Sequence, residues 1–351
     1  MLSRTQFGIL ASFHMLFPAI TLALGWVLCA LYAQALWQTD VRGTGVRGAG
    51  LRDMRRVRAF WTRVQALAFG LSAVSGLALA SQSQVLRGAE PLISPLAGSA
   101  FMAAFAFQSI GLSLLLMRRT LPRRRVQAAA GLMIATGATL WSLVLIGLGI
   151  GLGGALSGVT IPELTLAAVL SSVLTVGCLI AGLTALRILT GERTRAQRGM
   201  LRTGLWMVAI AAPLLVLLSA DTARLSETAA IWFSLVLVAM AGLSWATLGF
   251  GATSRSMPGM PPYALLIGVF SISFAGWPIT LLLWHGAVPL EALAPLPLPA
   301  GVVSDLPQTM VAYAAVSALL VAFFCAATLG MARNAASERS TRQGLGLLPA
   351  E

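Results

Sequence analysis

Residues 165–186 read TLAAVLSSVLTVGCLIAGLTAL, and RILTGERTRAQR (187–198) follows at once. An uncharged run of this length crosses a hydrocarbon core of about 30 Å as a helix rising about 1.5 Å per residue. Lipid supplies no partners for backbone N–H and C=O groups, so such a run has to close its own hydrogen bonds as a helix. The arginines behind it mark the return to the cytoplasmic side.

The same alternation fills the chain. Nine apolar runs are long enough to span: 8–36, 59–81, 93–117, 126–153, 163–190, 200–220, 229–251, 262–285 and 308–332. The expectation is an all-α polytopic bundle of nine transmembrane helices, forming one transmembrane domain over residues 1–351. Composition agrees: 58% of the 351 residues are hydrophobic and only 10% charged, against about 25% charged in soluble domains. A water-soluble globule is excluded. The first run is far longer than the apolar part of a signal peptide, so it is read as a permanent helix. The longest connections, 37–58 and 286–307, are too short for a folded extramembrane domain.

All 24 basic residues are arginine. Twenty-one fall on the side of the odd-numbered connections and the C-terminal tail. Only Arg4, Arg87 and Arg224 fall on the other side. This asymmetry predicts an N-terminus outside and a short cytoplasmic tail at 333–351. The net charge of +13 would suit nucleic acid, but arginines placed between apolar runs are topology charges. Anionic lipids at the Arg-rich loops are the expected partners, and nucleic acid is not.

The eleven carboxylates fall in connections or at span ends, Glu163 being the deepest. Intramembrane ionisable residues mark ion pathways and proton relays, so their absence from span centres argues against a proton-coupled transporter. Cys29, Cys178 and Cys325 lie in apolar runs without metal-ligand spacing and read as small core residues. There are two histidines. His14, about two turns into the first run, is either a helix-bridging polar residue or an axial haem ligand. His285, beside Trp284 at a span end, reads as an interface residue. No phosphate-binding loop or dinucleotide fingerprint occurs.

The opening Leu2-Ser3-Arg4-Thr5-Gln6-Phe7, with His14 and Leu16-Phe17-Pro18 behind it, resembles subunit I of cytochrome bd-type quinol oxidases. That family starts its first span with Ser-Arg-x-Gln-Phe and places a histidine seven residues beyond the Phe. Phe60-Trp61, Phe69, Gly76-Leu77, Gln82, Pro95-Leu96-Ala97, Gly276-Trp277, Gly286 and Pro289 are similar to family positions in the same order along the chain. The resemblance implies a multi-pass protein of the bacterial cytoplasmic (inner) membrane, in respiratory electron transport. It also implies a second polytopic subunit as partner and access to quinol through the complex.

The family's cofactor positions are mostly changed. His14 matches the histidine offered to a haem near the outer face. The histidine of span five falls near Ala167, and the methionine of span seven near Ser234 or Leu235, with Met240 one to two turns deeper. Phe274 replaces a glutamate of span eight, Ala80 one of span two, and the span-three glutamates fall near Ser99 and Phe107, with Gln108 adjacent. Where the family has a long quinol-binding loop, this chain has only Ser219 to Glu227. The expectation is a degenerate, cofactor-poor subunit I-like protein carrying at most one haem, on His14. The alternatives are an active haem-bearing subunit of a quinol:dioxygen oxidoreductase, and a non-redox anchor or transporter-like bundle.

Overall fold

A computed structural model describes residues 2–37, 46–87, 95–117, 123–153, 161–220, 227–253, 261–286 and 306–344. Side chains are described for most of these, except those near several helix ends. Nine α-helices and no strand occur among the described residues: α1 (Leu2–Trp37), α2 (Val46–Arg87), α3 (Pro95–Leu116), α4 (Arg124–Gly153), α5 (Ile161–Leu189), α6 (Arg195–Ala220), α7 (Glu227–Thr253), α8 (Tyr263–Gly286) and α9 (Leu306–Gly344). The protein is an integral membrane protein with an all-helical polytopic fold. Six helices (α1, α3, α4, α5, α6 and α9) carry apolar stretches of 19 to 25 described residues, long enough to cross a bilayer. In α7 and α8 the described apolar stretches are shorter, Ser234–Phe250 and Tyr263–Pro278.

Two helices run beyond the expected spans. The basic connection 37–58 is helical from Val46 onward, so α2 reaches 42 residues, about 63 Å at helical rise. Arg, Leu and Met are good helix formers, and a spanning helix that already exists extends at no nucleation cost. Likewise α9 continues past Arg333 to Gly344.

The chain divides into two compact units. The first comprises Met1–Thr39, Trp61–Ser172 and Leu281–Ala322. In it α4 packs against both α1 and α3. Helices in lipid associate through small residues that let backbones approach: a Cβ at Gly137 of α4 would lie 2.8 Å from the Ala104 carbonyl of α3. The second unit comprises Asp40–Phe60, Val173–Thr280 and Phe323–Glu351. Its core joins Ala181, Ala185 and Ile188 of α5, Leu201 and Leu205 of α6, and Leu266 and Val269 of α8.

The α5–α6 turn is built by local chemistry. Gly191, at φ +109°, takes the left-handed position that ends a helix without a Cβ penalty. The amide of Glu192 then donates to the Arg187 carbonyl at 2.9 Å, and that of Gly191 to Ile188 at 3.2 Å. Thr194 opens α6 by accepting from the Gln197 amide at 3.2 Å, the N-cap arrangement. Under this turn Arg187 is buried, not solvated as its place in an arginine cluster suggests. Its Nε and Nη2 reach one oxygen of Glu192 at 2.8 and 2.6 Å. Gln197 donates to the same oxygen at 2.8 Å, and the Phe60 ring lies 4.4 Å from the guanidinium carbon.

Candidate functional site

His14 sits in the N-terminal half of α1 with 2% of its surface exposed. Its Nδ1 lies 2.9 Å from Ser75 Oγ on α2. The Ser75 hydroxyl also lies 2.8 Å from the Leu71 carbonyl and 3.2 Å from that of Ser72. Carbonyl oxygens only accept, so the single hydroxyl proton goes either back along α2 or to the imidazole. With it on α2, Ser75 Oγ accepts from His14 and Nδ1–H is the donor; with it on the ring, Nδ1 accepts and Nε2 carries the hydrogen. A neutral imidazole with Nδ1 protonated carries its lone pair on Nε2. That is the form in which histidine binds a metal, with the other ring nitrogen held by a hydrogen bond.

The ring is also placed by what α2 lacks. A Cβ at Gly76 would fall 3.1 Å from His14 Cε1, so the glycine opens the space the imidazole fills. Four residues beyond His14, Pro18 interrupts α1. Proline has no N–H, so the His14 carbonyl loses its usual helical donor. Below the histidine the α1–α2 seam stays polar. Gln65 donates to the Thr21 carbonyl at 3.1 Å, and Tyr32 and Thr62 pair through their hydroxyls at 3.0 Å. Among the described residues no group of three or more His, Cys, Asp or Glu gathers at one place. Any metal held here would depend on His14 with ligands from a cofactor.

The remaining expected cofactor positions do not form a second such site. Ala167 is buried and has no atom that binds iron. Ser234 is half-buried, and Leu235 is exposed at its helix surface. Met240 is buried, but its methyl lies 2.5 Å from where a Cβ of Gly276 would stand, so the thioether fills the gap that glycine leaves. Phe274 packs its Cβ 3.2 Å from the equivalent point at Gly182 and stacks on Phe270 with ring centroids 5.7 Å apart. Gly276 and Trp277 are interior, with Trp277 edge-on to Phe324 at 5.4 Å. On α3, Phe107 and Ser99 lie on the surface, and the adjacent Gln108 is turned inward. The side chains of Ser3, Arg4, Gln6, Phe7, Ala80, Gln82, Glu163 and His285 lie outside the described residues.

Sequence reasoning singled out His14 but not Ser75, the hydroxyl that hydrogen-bonds it. Nothing in the sequence links two residues 61 positions apart. The Arg187–Glu192–Gln197 cluster was also missed, although Gly191 and the Thr194-x-x-Gln197 pattern already mark a tight helix–turn–helix there.

A polytopic helical membrane protein with a buried imidazole at a helix–helix seam is the class these features define. Residues 2–148 match the family model of cytochrome bd terminal oxidase subunit I. The fold is similar to that in the structure of bd oxidase from Geobacillus thermodenitrificans, with a TM-score of 0.67 and 13% identity, over 95% of this chain and 98% of that one. No curated protein matches the chain by sequence. The chain is a cytochrome bd subunit I-like membrane protein.

Proposed function

We propose that this protein is a cofactor-poor subunit of a respiratory membrane complex, with one position for haem, at His14, and no complete oxidase machinery of its own. The observation that carries the reading is the buried hydrogen bond between His14 Nδ1 and Ser75; with Nδ1–H as its donor, Nε2 keeps its lone pair for a metal. His14 would hold the haem, Ser75 would orient the ring, and Gly76 would keep the space beside it clear. Bound haem iron would supply one-electron chemistry. The protein's own groups hold the imidazole neutral and in place. At Ala167, Ser234 and Phe274 the side chains offer no further ligand. Quinol oxidation by this chain alone is therefore absent, and quinol is met through a partner.

The partner is a second polytopic subunit like subunit II, in a bacterial inner membrane, because bd oxidase is a multi-subunit assembly. The arginine asymmetry supports an N-terminus outside and a C-terminus inside. All nine helices, α2, α7 and α8 included, cross the bilayer, and the cytoplasmic arginines meet anionic lipid. A periplasmic reporter that is active when fused to the C-terminus would overturn that orientation.

The functional test is oxygen uptake with a reduced quinol. The purified chain should show none, while its absorption spectrum shows at most a single haem. Quinol-dependent oxygen consumption by the isolated chain would favour the second reading, an active haem-bearing oxidase subunit. A colourless preparation that co-purifies with a polytopic partner would leave the anchoring role alone.

A further inference from the structure

The α6 surface carries a stripe that neither haem nor its handling explains. Arg195, Arg202, Trp206 and Ile210 are all exposed and follow one another at helical spacing on one face. The apolar run 200–220 opens just before Arg202, so Arg202 stands at the polar end of the span, two turns or about 10 Å from Arg195. Exposed arginines at the end of an apolar span are placed to meet an anion at the interface. The described carboxylates of this unit do not meet Arg202: Asp53 pairs with Arg56, and Glu192 is buried against Arg187.

One turn deeper, Trp206 stands edge-on to Trp245 of α7, with centroids 5.2 Å apart and planes at 82°. Both rings are about half exposed. One turn from Trp245, on the same face of α7, exposed Gly249 has nothing within 4 Å of where a Cβ would stand. The α6–α7 surface is thus open beside Arg202 and lined by aromatic and aliphatic groups below it.

We propose that this face binds a phospholipid with an anionic headgroup, its phosphate between Arg195 and Arg202 and an acyl chain along Trp206, Trp245 and Ile210. Cations above and apolar surface below, in one continuous stripe, match an amphiphile and not a free inorganic anion. Two arginines without a neighbouring carboxylate favour a net negative headgroup over a zwitterionic one. The site lies on α6 and α7 alone and stands or falls separately from the haem reading.

The test is native mass spectrometry of the purified, delipidated full chain, titrated separately with phosphatidylglycerol, phosphatidylcholine and inorganic phosphate. One phosphatidylglycerol should bind in preference to phosphatidylcholine, and millimolar phosphate should not displace it. Arg195→Gln and Arg202→Gln should each weaken it about fivefold. Arg202→Lys, which keeps the charge, should retain most of the affinity. Arg123→Gln with Arg125→Gln, exposed arginines at the start of α4, should leave it unchanged. Helical content by circular dichroism shows that each variant is folded. Equal binding of phosphatidylcholine, displacement by phosphate, or undiminished binding in folded Arg195→Gln/Arg202→Gln protein would overturn the proposal. So would a co-purifying single-helix polypeptide that cross-links at position 206.

Discussion

Two buried polar clusters of this protein differ in charge and in the chemistry they leave open. At the α5–α6 turn, one carboxylate oxygen of Glu192 takes three donors, two from Arg187 and one from Gln197, while Arg187 Nη1 and Gln197 Oε1 are buried without a hydrogen bond among the described residues. The α1–α2 seam is uncharged. There His14 Nδ1 and Ser75 share one hydrogen bond, and His14 Nε2 has no hydrogen-bond partner among the described residues. A charged cluster, which invites a functional reading, is here structural. A single neutral imidazole with one unused nitrogen is the better candidate for chemistry.

The contrast can be broken first on the structural side. Removing one partner of a buried ion pair leaves the other charge uncompensated and costs about 3–5 kcal/mol. Arg187→Ala should therefore cause the largest loss of stability, read as a fall in the detergent unfolding midpoint. Arg187→Met combined with Glu192→Leu should lose much less, because replacing both charges by apolar groups is often close to neutral. A double variant as unstable as the single one would mean that the pair does more than hold the turn.

A smaller effect sharpens the other side. Ser75→Ala removes the hydroxyl that orients His14 while leaving the histidine itself. Loss of such a supporting partner weakens a metal site about 10- to 100-fold. Haem retention during purification should fall by that order while unfolding changes little. If retention is unchanged, the tautomer argument fails. Smaller again is Thr194→Ala, which removes the α6 cap and should cost about 1 kcal/mol. It should leave haem content untouched, since the cap belongs to the structural cluster.

Most of the architecture was legible because lipid leaves so few choices. An uncharged run of twenty residues must be a helix, and connections between such runs are exposed by their arginines. What could not be read was which face of each helix turns inward. Along α3 nearly every residue is apolar or small, so no periodicity distinguishes Phe107 from Gln108, and only packing shows that the glutamine is the buried one. The extent of α2 was hidden for a different reason: glycines at 43, 45, 48 and 50 read as a loop, although the helix already continues from Val46. His14 was legible through its neighbours in sequence. Ser75 and the open surface at Gly76 were not, because they belong to another helix.

The central claim, a single haem position at His14, is most directly tested by a pyridine-haemochrome count on purified wild-type chain beside His14→Ala. The account predicts no more than one haem per wild-type chain, and none in His14→Ala protein that keeps its helical content. Two or more haems per chain, or one that persists undiminished in His14→Ala, would contradict it.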